Sequence, residues 1–215
     1  AENFRPLRAS VMFSPRLQET RFLVVTSSIA AEGKTTVALN LAAVLAQAGR
    51  QVLLVDADMR RPALHRTFSM QRSPGFADFL MGRSSFDEVL RTTGIGNLGL
   101  ITCGSDAPKP AELVGTASDR IKELVEQGSR FDYVVFDTPP LTLSDPTLLA
   151  KSVAGAVLLV IRSGSISAEV ARRSLEKLRG VDARIAGAVL NNFDLRKQGY
   201  YYGRGYRYYD RGYYY

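Results

Sequence analysis

Apolar positions along the chain follow two rhythms. Short apolar runs occupy 21–26, 51–56, 98–102, 133–137, 156–161 and 185–190, and runs of that length bounded by turn residues read as strands. Between them, 35–48, 118–127 and 168–178 carry apolar residues every three or four positions, the spacing of a helix with one buried face. In the first of these Ala38, Leu41, Ala42 and Leu45 share that face, and Gly49 stands where a helix C-terminal cap is expected. Strands alternating with helices signal a three-layer α/β fold, a mostly parallel sheet with helices on both faces. Continuous runs such as 52–55 and 157–161 fit strands buried on both sides.

Both ends depart from this rhythm, which divides the chain into a short basic arm over 1–20, one α/β domain over 21–198, and a tail over 199–215. The tail, Gly and Arg interleaved with tyrosine, holds nine of the ten tyrosines and no aliphatic residue able to build a core. Such a segment is expected to be mobile unless something captures it.

Composition narrows the class. The chain has 215 residues, 46% of them hydrophobic, enough for one domain with a substantial core. Its longest uncharged apolar stretch, 153–161, is far short of the roughly 20 residues that cross a bilayer, and no basic-then-apolar signal opens it. A single cysteine, Cys103, and a single histidine, His65, exclude a disulfide scaffold and a Cys/His zinc site. A reducing, cytoplasmic setting is expected. The net charge of +7 is carried by 22 Arg and 6 Lys against 21 acids, and arginine excess suits phosphate, nucleic acid or an anionic surface.

The motifs choose among these. Ser28-Ile29-Ala30-Ala31-Glu32-Gly33-Lys34-Thr35 follows an expected strand and opens an expected helix, the setting of a phosphate-binding P-loop. Backbone N–H groups of Ser28, Ala30, Ala31, Glu32, Gly33 and the helix start, with Thr36, would cradle phosphates. Lys34 would reach the β- and γ-phosphates and the Thr35 hydroxyl would bind Mg²⁺. Ser28 stands where the first glycine is usual. A second element, the strand ending Asp56-Ala57-Asp58 before Arg60, Arg61 and Pro62, and a third, ending Asp137-Thr138-Pro139-Pro140, bring three carboxylates to the carboxyl ends of buried strands, where open α/β sheets bind ligands. Asp137 suits a Mg²⁺ partner. His65, alone beyond a strand end, reads as structural.

Together these elements resemble the bacterial tyrosine kinases of capsule and exopolysaccharide assembly, which are related to P-loop ATPases. The likeness extends to Glu2-x-x-Arg5-x-x-Arg8, Gly75-Phe76-x-Asp78 with Gly82, Pro108-x-Pro110-Ala111-Glu112-Leu113 and the terminal tyrosine cluster. Lys109 departs from the usual asparagine, and Pro6 is tolerable only in the first turn of an arm helix. The resemblance implies a protein-tyrosine kinase using ATP and Mg²⁺, with Lys34, Asp56 and Asp58 catalytic and Thr35, Asp56 and Asp137 at the metal. It favours Asp56 as the base, although the residues themselves leave Asp56 and Asp58 open. Asn191 resembles the base-contacting asparagine of related ATPases, with a turn role as the alternative.

The same resemblance makes Tyr200, Tyr201, Tyr202, Tyr206, Tyr208, Tyr209, Tyr213, Tyr214 and Tyr215 the acceptors, phosphorylated in trans. It implies ring-like self-assembly through Glu2, Arg5 and Arg8, whose spacing puts them along one helix face. A transmembrane polysaccharide co-polymerase segment, fused or separate, would activate the kinase at the inner face of the plasma membrane, and a cognate tyrosine phosphatase would reverse it. Two rival readings share some of these features. A partition or division-site ATPase would carry a lysine where Ile29 stands. The Arg/Gly/Tyr tail could bind single-stranded nucleic acid, a partner the kinase reading does not require.

Overall fold

The computed structural model describes residues 2–14, 17 and 20–193. Seven strands build its sheet: β1 (Phe22–Ser27), β2 (Val52–Asp56), β3 (Leu90–Thr92), β4 (Leu98–Ile101), β5 (Tyr133–Asp137), β6 (Ala156–Arg162) and β7 (Arg184–Asn191). Their order is β3-β4-β2-β5-β1-β6-β7. All pairings are parallel except that of β3 with β4.

Nine α-helices wrap this sheet among the described residues: α1 (Arg5–Phe13), α2 (Lys34–Gln47), α3 (Leu64–Thr67), α4 (Phe76–Leu80), α5 (Phe86–Val89), α6 (Pro110–Thr116), α7 (Ser118–Gly128), α8 (Asp145–Ser152) and α9 (Ala168–Gly180). The side chains of each strand alternate between two cores. On one face Leu23, Val25, Leu54, Val135, Leu158 and Val160 pack against Val37, Ala38, Leu41, Ala42 and Leu45 of α2 and Val11 of α1. On the other, Val24, Leu53, Val55, Val134, Phe136, Val157 and Leu159 meet Phe76 and Phe79 of α4, Ile121 and Leu124 of α7, Leu149 of α8 and Leu178 of α9.

All six expected strands form, with ends shifted by at most one residue, and the three expected helices form as well. The cap of α2 is the one its sequence announces. Gly49 is left-handed at φ +83°, Gly49 donates to Ala46 O and Arg50 to Leu45 O, the paired bonds that close a Schellman end.

Several elements exceed the sequence reading. The short helices α3 to α5, together with α6, α8 and the antiparallel edge strand β3, were not expected. Pro6 is the second residue of α1, where its missing N–H removes no helical bond, so the arm is helical from Arg5. Glu2 lies in a preceding 3₁₀ turn, Glu2–Phe4, and not on the same helix as Arg5 and Arg8. An ion pair of 3.8 Å nevertheless joins Arg5 to Glu2. No described helix is long and apolar enough to cross a membrane.

Candidate active site

Strand order places the chemistry. β1 lies between β5 and β6, with β2 beyond β5, so the loop leaving β1 rises beside the carboxyl ends of β2, β5 and β6. In that loop Ala31 and Gly33 are left-handed, at φ +65° and +90°. α2 then begins at Lys34 with a glycine N-cap, no side-chain capping bond and no acid in its first turn. Its first N–H groups are therefore left without a side-chain acceptor, and the positive end of the helix dipole stands open to an anion. Ser28 is buried, and its Oγ has no hydrogen-bond partner among the described residues. Ala30, Ala31 and Thr36 are exposed and Thr35 is half-buried.

Period-2 alternation sets two acids side by side. Asp56 of β2 and Asp137 of β5 are register partners and continue the face of Leu54 and Val135, the face covered by α2. Asp58, just past β2, receives Lys34 Nζ at 2.8 Å on Oδ2. Its Oδ1 accepts the N–H groups of Arg60 at 3.3 Å and Arg61 at 3.0 Å. Asp56 uses Oδ2 to accept Ala63 N and Leu64 N at 3.1 and 3.0 Å, fastening the start of α3, while its Oδ1 is buried and unpartnered. Asp137 is fully buried with neither oxygen in hydrogen-bond geometry to a donor.

The titration of these acids follows from that burial. Desolvation pushes the Asp137 carboxyl up to about 7, although the charge of Lys34 and the nearby Thr35 hydroxyl pull it back. Burial raises Asp56 to about 6, held down by its bonds from Leu64 and Ala63 and pushed further by the charge of Asp58. Carboxyls shifted by desolvation beside a specific charge partner are candidates for functional sites. Among the described residues no three His, Cys, Asp or Glu side chains are arranged to hold a metal unaided. The orphaned oxygens of Asp56 and Asp137 beside the Thr35 hydroxyl instead fit an ion of the Mg²⁺ kind, which takes one or two protein oxygens and completes its shell with phosphates and water.

Residues 22–189 match the family described as AAA domain. Over 206 residues the chain is 36% identical to the tyrosine-protein kinase YwqD of Bacillus subtilis (strain 168), spanning 94% of this chain and 86% of that protein. It belongs to the bacterial tyrosine-protein kinases. The solved kinase domain of the Escherichia coli tyrosine kinase ETK superposes with a TM-score of 0.82 at 36% identity, covering 88% of this chain and 74% of that one. Of the full etk sequence from Escherichia coli (strain K12) the kinase described here spans 26%. The septum site-determining protein MinD from Pyrococcus horikoshii, with a TM-score of 0.64 at 23% identity over 79% of this chain and 69% of that one, shares the fold.

The remaining expected site residues take definite places in the kinase. Asn191, the last residue of β7, donates its side-chain amide to Glu32 O at 2.9 Å. Glu32 is buried, its carboxylate committed to protein donors, so any contact it makes with a phosphate falls to its backbone. His65 lies in α3, and burial, with the charges of Arg66 and Arg72, holds its imidazole below the usual range. Cys103 is fully buried, and burial pushes its thiol up to about 12. The nine tail tyrosines lie outside the described residues.

Five hydrogen bonds around the site were missed by sequence reasoning. Arg60 Nε donates to the buried Asp145 at the start of α8, 3.3 Å away. Lys177 of α9 reaches Leu141 O and Leu143 O in the loop after β5. Thr26 and Thr138 stitch that loop to β1 through Pro139 O and Val25 O. Their partners are dozens of residues away in sequence, and no local pattern marks them.

Proposed function

We propose that this kinase transfers the γ-phosphoryl group of ATP to tyrosines of its own C-terminal cluster, between copies, and thereby regulates the synthesis and export of an extracellular polysaccharide. One observation carries this reading: the P-loop Lys34 is held at 2.8 Å from Asp58, beside the register-paired Asp56 and Asp137. A loose phosphoryl transition state asks mainly for positioning and charge neutralisation. Lys34 and the first-turn N–H groups of α2 supply positive charge to the phosphates. Thr35, Asp56 and Asp137 would hold Mg²⁺, which when bound neutralises charge on the transferring phosphate oxygens.

A tyrosine hydroxyl, with a pKa of about 10, must also lose its proton. Asp58 has both oxygens engaged, whereas Asp56 keeps Oδ1 free and carries a pKa raised to about 6. That contrast supports Asp56 as the acceptor and Asp58 as the partner that aligns Lys34. The N-terminal arm through Glu2, Arg5 and Arg8 would join copies into a ring, bringing each tail to a neighbour's site. A membrane-embedded co-polymerase segment would keep the ring at the inner face of the plasma membrane, and a tyrosine phosphatase would reset it.

Incubation with Mg-ATP followed by intact-mass measurement tests the core of this. The parent is expected to gain successive phosphates and Lys34→Met none. A parent of unchanged mass, or a Lys34→Met protein modified as fast as the parent, would overturn the reading.

A further inference from the structure

The phosphate loop, which leaves β1, is tied by two side chains to the ends of β6 and β7, the next two strands in the sheet. Glu32 is 1% exposed yet points its carboxylate into protein. Oε2 accepts Ile29 N at 2.9 Å, closing the loop on itself, while Oε1 accepts Arg162 N and Ser165 Oγ, both at 3.2 Å, at the end of β6. Two of these three donors are backbone N–H groups that can only donate, so the site calls for a group that only accepts. Asn191 works on the same peptide from the end of β7, opposite Arg162 in register. Its side-chain amide donates to Glu32 O at 2.9 Å, and its backbone carbonyl accepts Ser163 N at 2.9 Å.

The next residue shows how close this contact is. A Cβ built on Gly33 would stand 2.1 Å from Asn191 Nδ2, and Gly33 has φ +90°. The amide therefore occupies the space a side chain at position 33 would need. The loop it holds contains a non-glycine residue, Ala31, at φ +65°, a conformation that persists only where its surroundings over-determine it.

We infer that Glu32 and Asn191 are positioning residues that clamp the phosphate loop to the ends of β6 and β7, so that Asn191 serves the triphosphate cradle. This rests on the nucleotide reading above and assigns these two side chains a task within it. The clamp keeps the loop N–H groups pre-organised, so binding does not have to order them.

The test compares two probes, Mg-ATP and Mg-tripolyphosphate, the second having no base, by calorimetric titration of the full chain. Asn191→Ala removes one hydrogen bond and is expected to weaken both probes by the same factor, about 2- to 10-fold. Glu32→Gln sets an amide N–H against a buried donor and is expected to weaken both by about 10-fold or more. If Asn191→Ala weakens Mg-ATP and leaves tripolyphosphate unchanged, the asparagine reads the base and the inference fails. It fails equally if both variants bind both probes as the parent does while only their melting temperature drops.

Should Glu32→Gln not fold, Ser165→Ala removes a single donor and must produce a smaller loss of the same kind. If the parent binds neither probe, it is the proposed function that has failed. The clamp is then judged by hydrogen exchange over residues 29–33, which must quicken in Asn191→Ala; unchanged exchange sinks it.

Discussion

At the residue scale, Asp137 is a fully buried carboxyl that desolvation pushes up to about 7, with only the charge of Lys34 and the Thr35 hydroxyl to pull it back. Between its ordinary 3.8 and that raised value, the folded chain keeps a proton that the unfolded chain has released. Stability therefore falls as pH rises through that window and is level above it. Asp56 adds a smaller slope of the same sign up to about 6. Asp137→Asn is expected to melt several degrees higher than the parent at pH 8 without nucleotide, at about 2–4 °C per kcal/mol of desolvation relieved. Circular dichroism melts at pH 5 and pH 8 would show the gap between the two proteins closing at the lower pH. That Asp56, Asp58 and Asp137 lie at the carboxyl ends of strands was legible in the sequence because each follows an apolar strand run. The work of Glu32, Asn191 and Asp145 was not, because each acts on a partner 85 or more positions away.

At the element scale, legibility followed length. β1, β2, β5 and β6 are continuous apolar runs between turn residues, and α2 spends four turns showing one buried face. By contrast α3 and α5 have four residues each and β3 three, too few for any period to register. They are fixed by tertiary contacts and by local caps, such as the reciprocal bonds of Ser85 and Glu88 at the start of α5. Where α7 ends against β1, Gly128 has a packing reason to be glycine. A Cβ there would stand 2.8 Å from the ring of Phe22, itself buried and stacked on Phe136. Gly128→Ala gains up to about 1 kcal/mol of helix propensity but overpacks a ring that cannot withdraw, at about 1–3 kcal/mol. A net loss is expected, read as a lower midpoint in urea with an unchanged slope.

At the scale of the whole molecule, the fold class was readable because buried parallel strands and their crossover helices repeat one simple pattern, whereas the strand order came only from the structure. Assembly is less visible in a single chain. Arg5, on α1, is largely exposed and makes its ion pair within its own arm, so Arg5→Ala with Arg8→Ala is expected to leave the melting temperature within about 2 °C of the parent. Light scattering should show the assembly shrinking; an unchanged size would remove the arm from the assembly model. The tail carries Arg204, Arg207 and Arg211 against Asp210, and each phosphate brings about −1.5 to −2. Two or three additions reverse its sign, so a variant with all nine tail tyrosines changed to Phe should associate more tightly in sedimentation than the fully phosphorylated parent.

The central place of β1 has a consequence for how the molecule breathes. Leu23, Val24 and Val25 are sealed on both faces and bonded on both edges, so their amides can reach deuterium only when the entire chain opens. A few residues later Ala30 and Ala31 are exposed to solvent. The most slowly labelled peptide should thus lie next in sequence to one that labels sooner, a boundary sharp enough to serve as an internal clock for every ligand added.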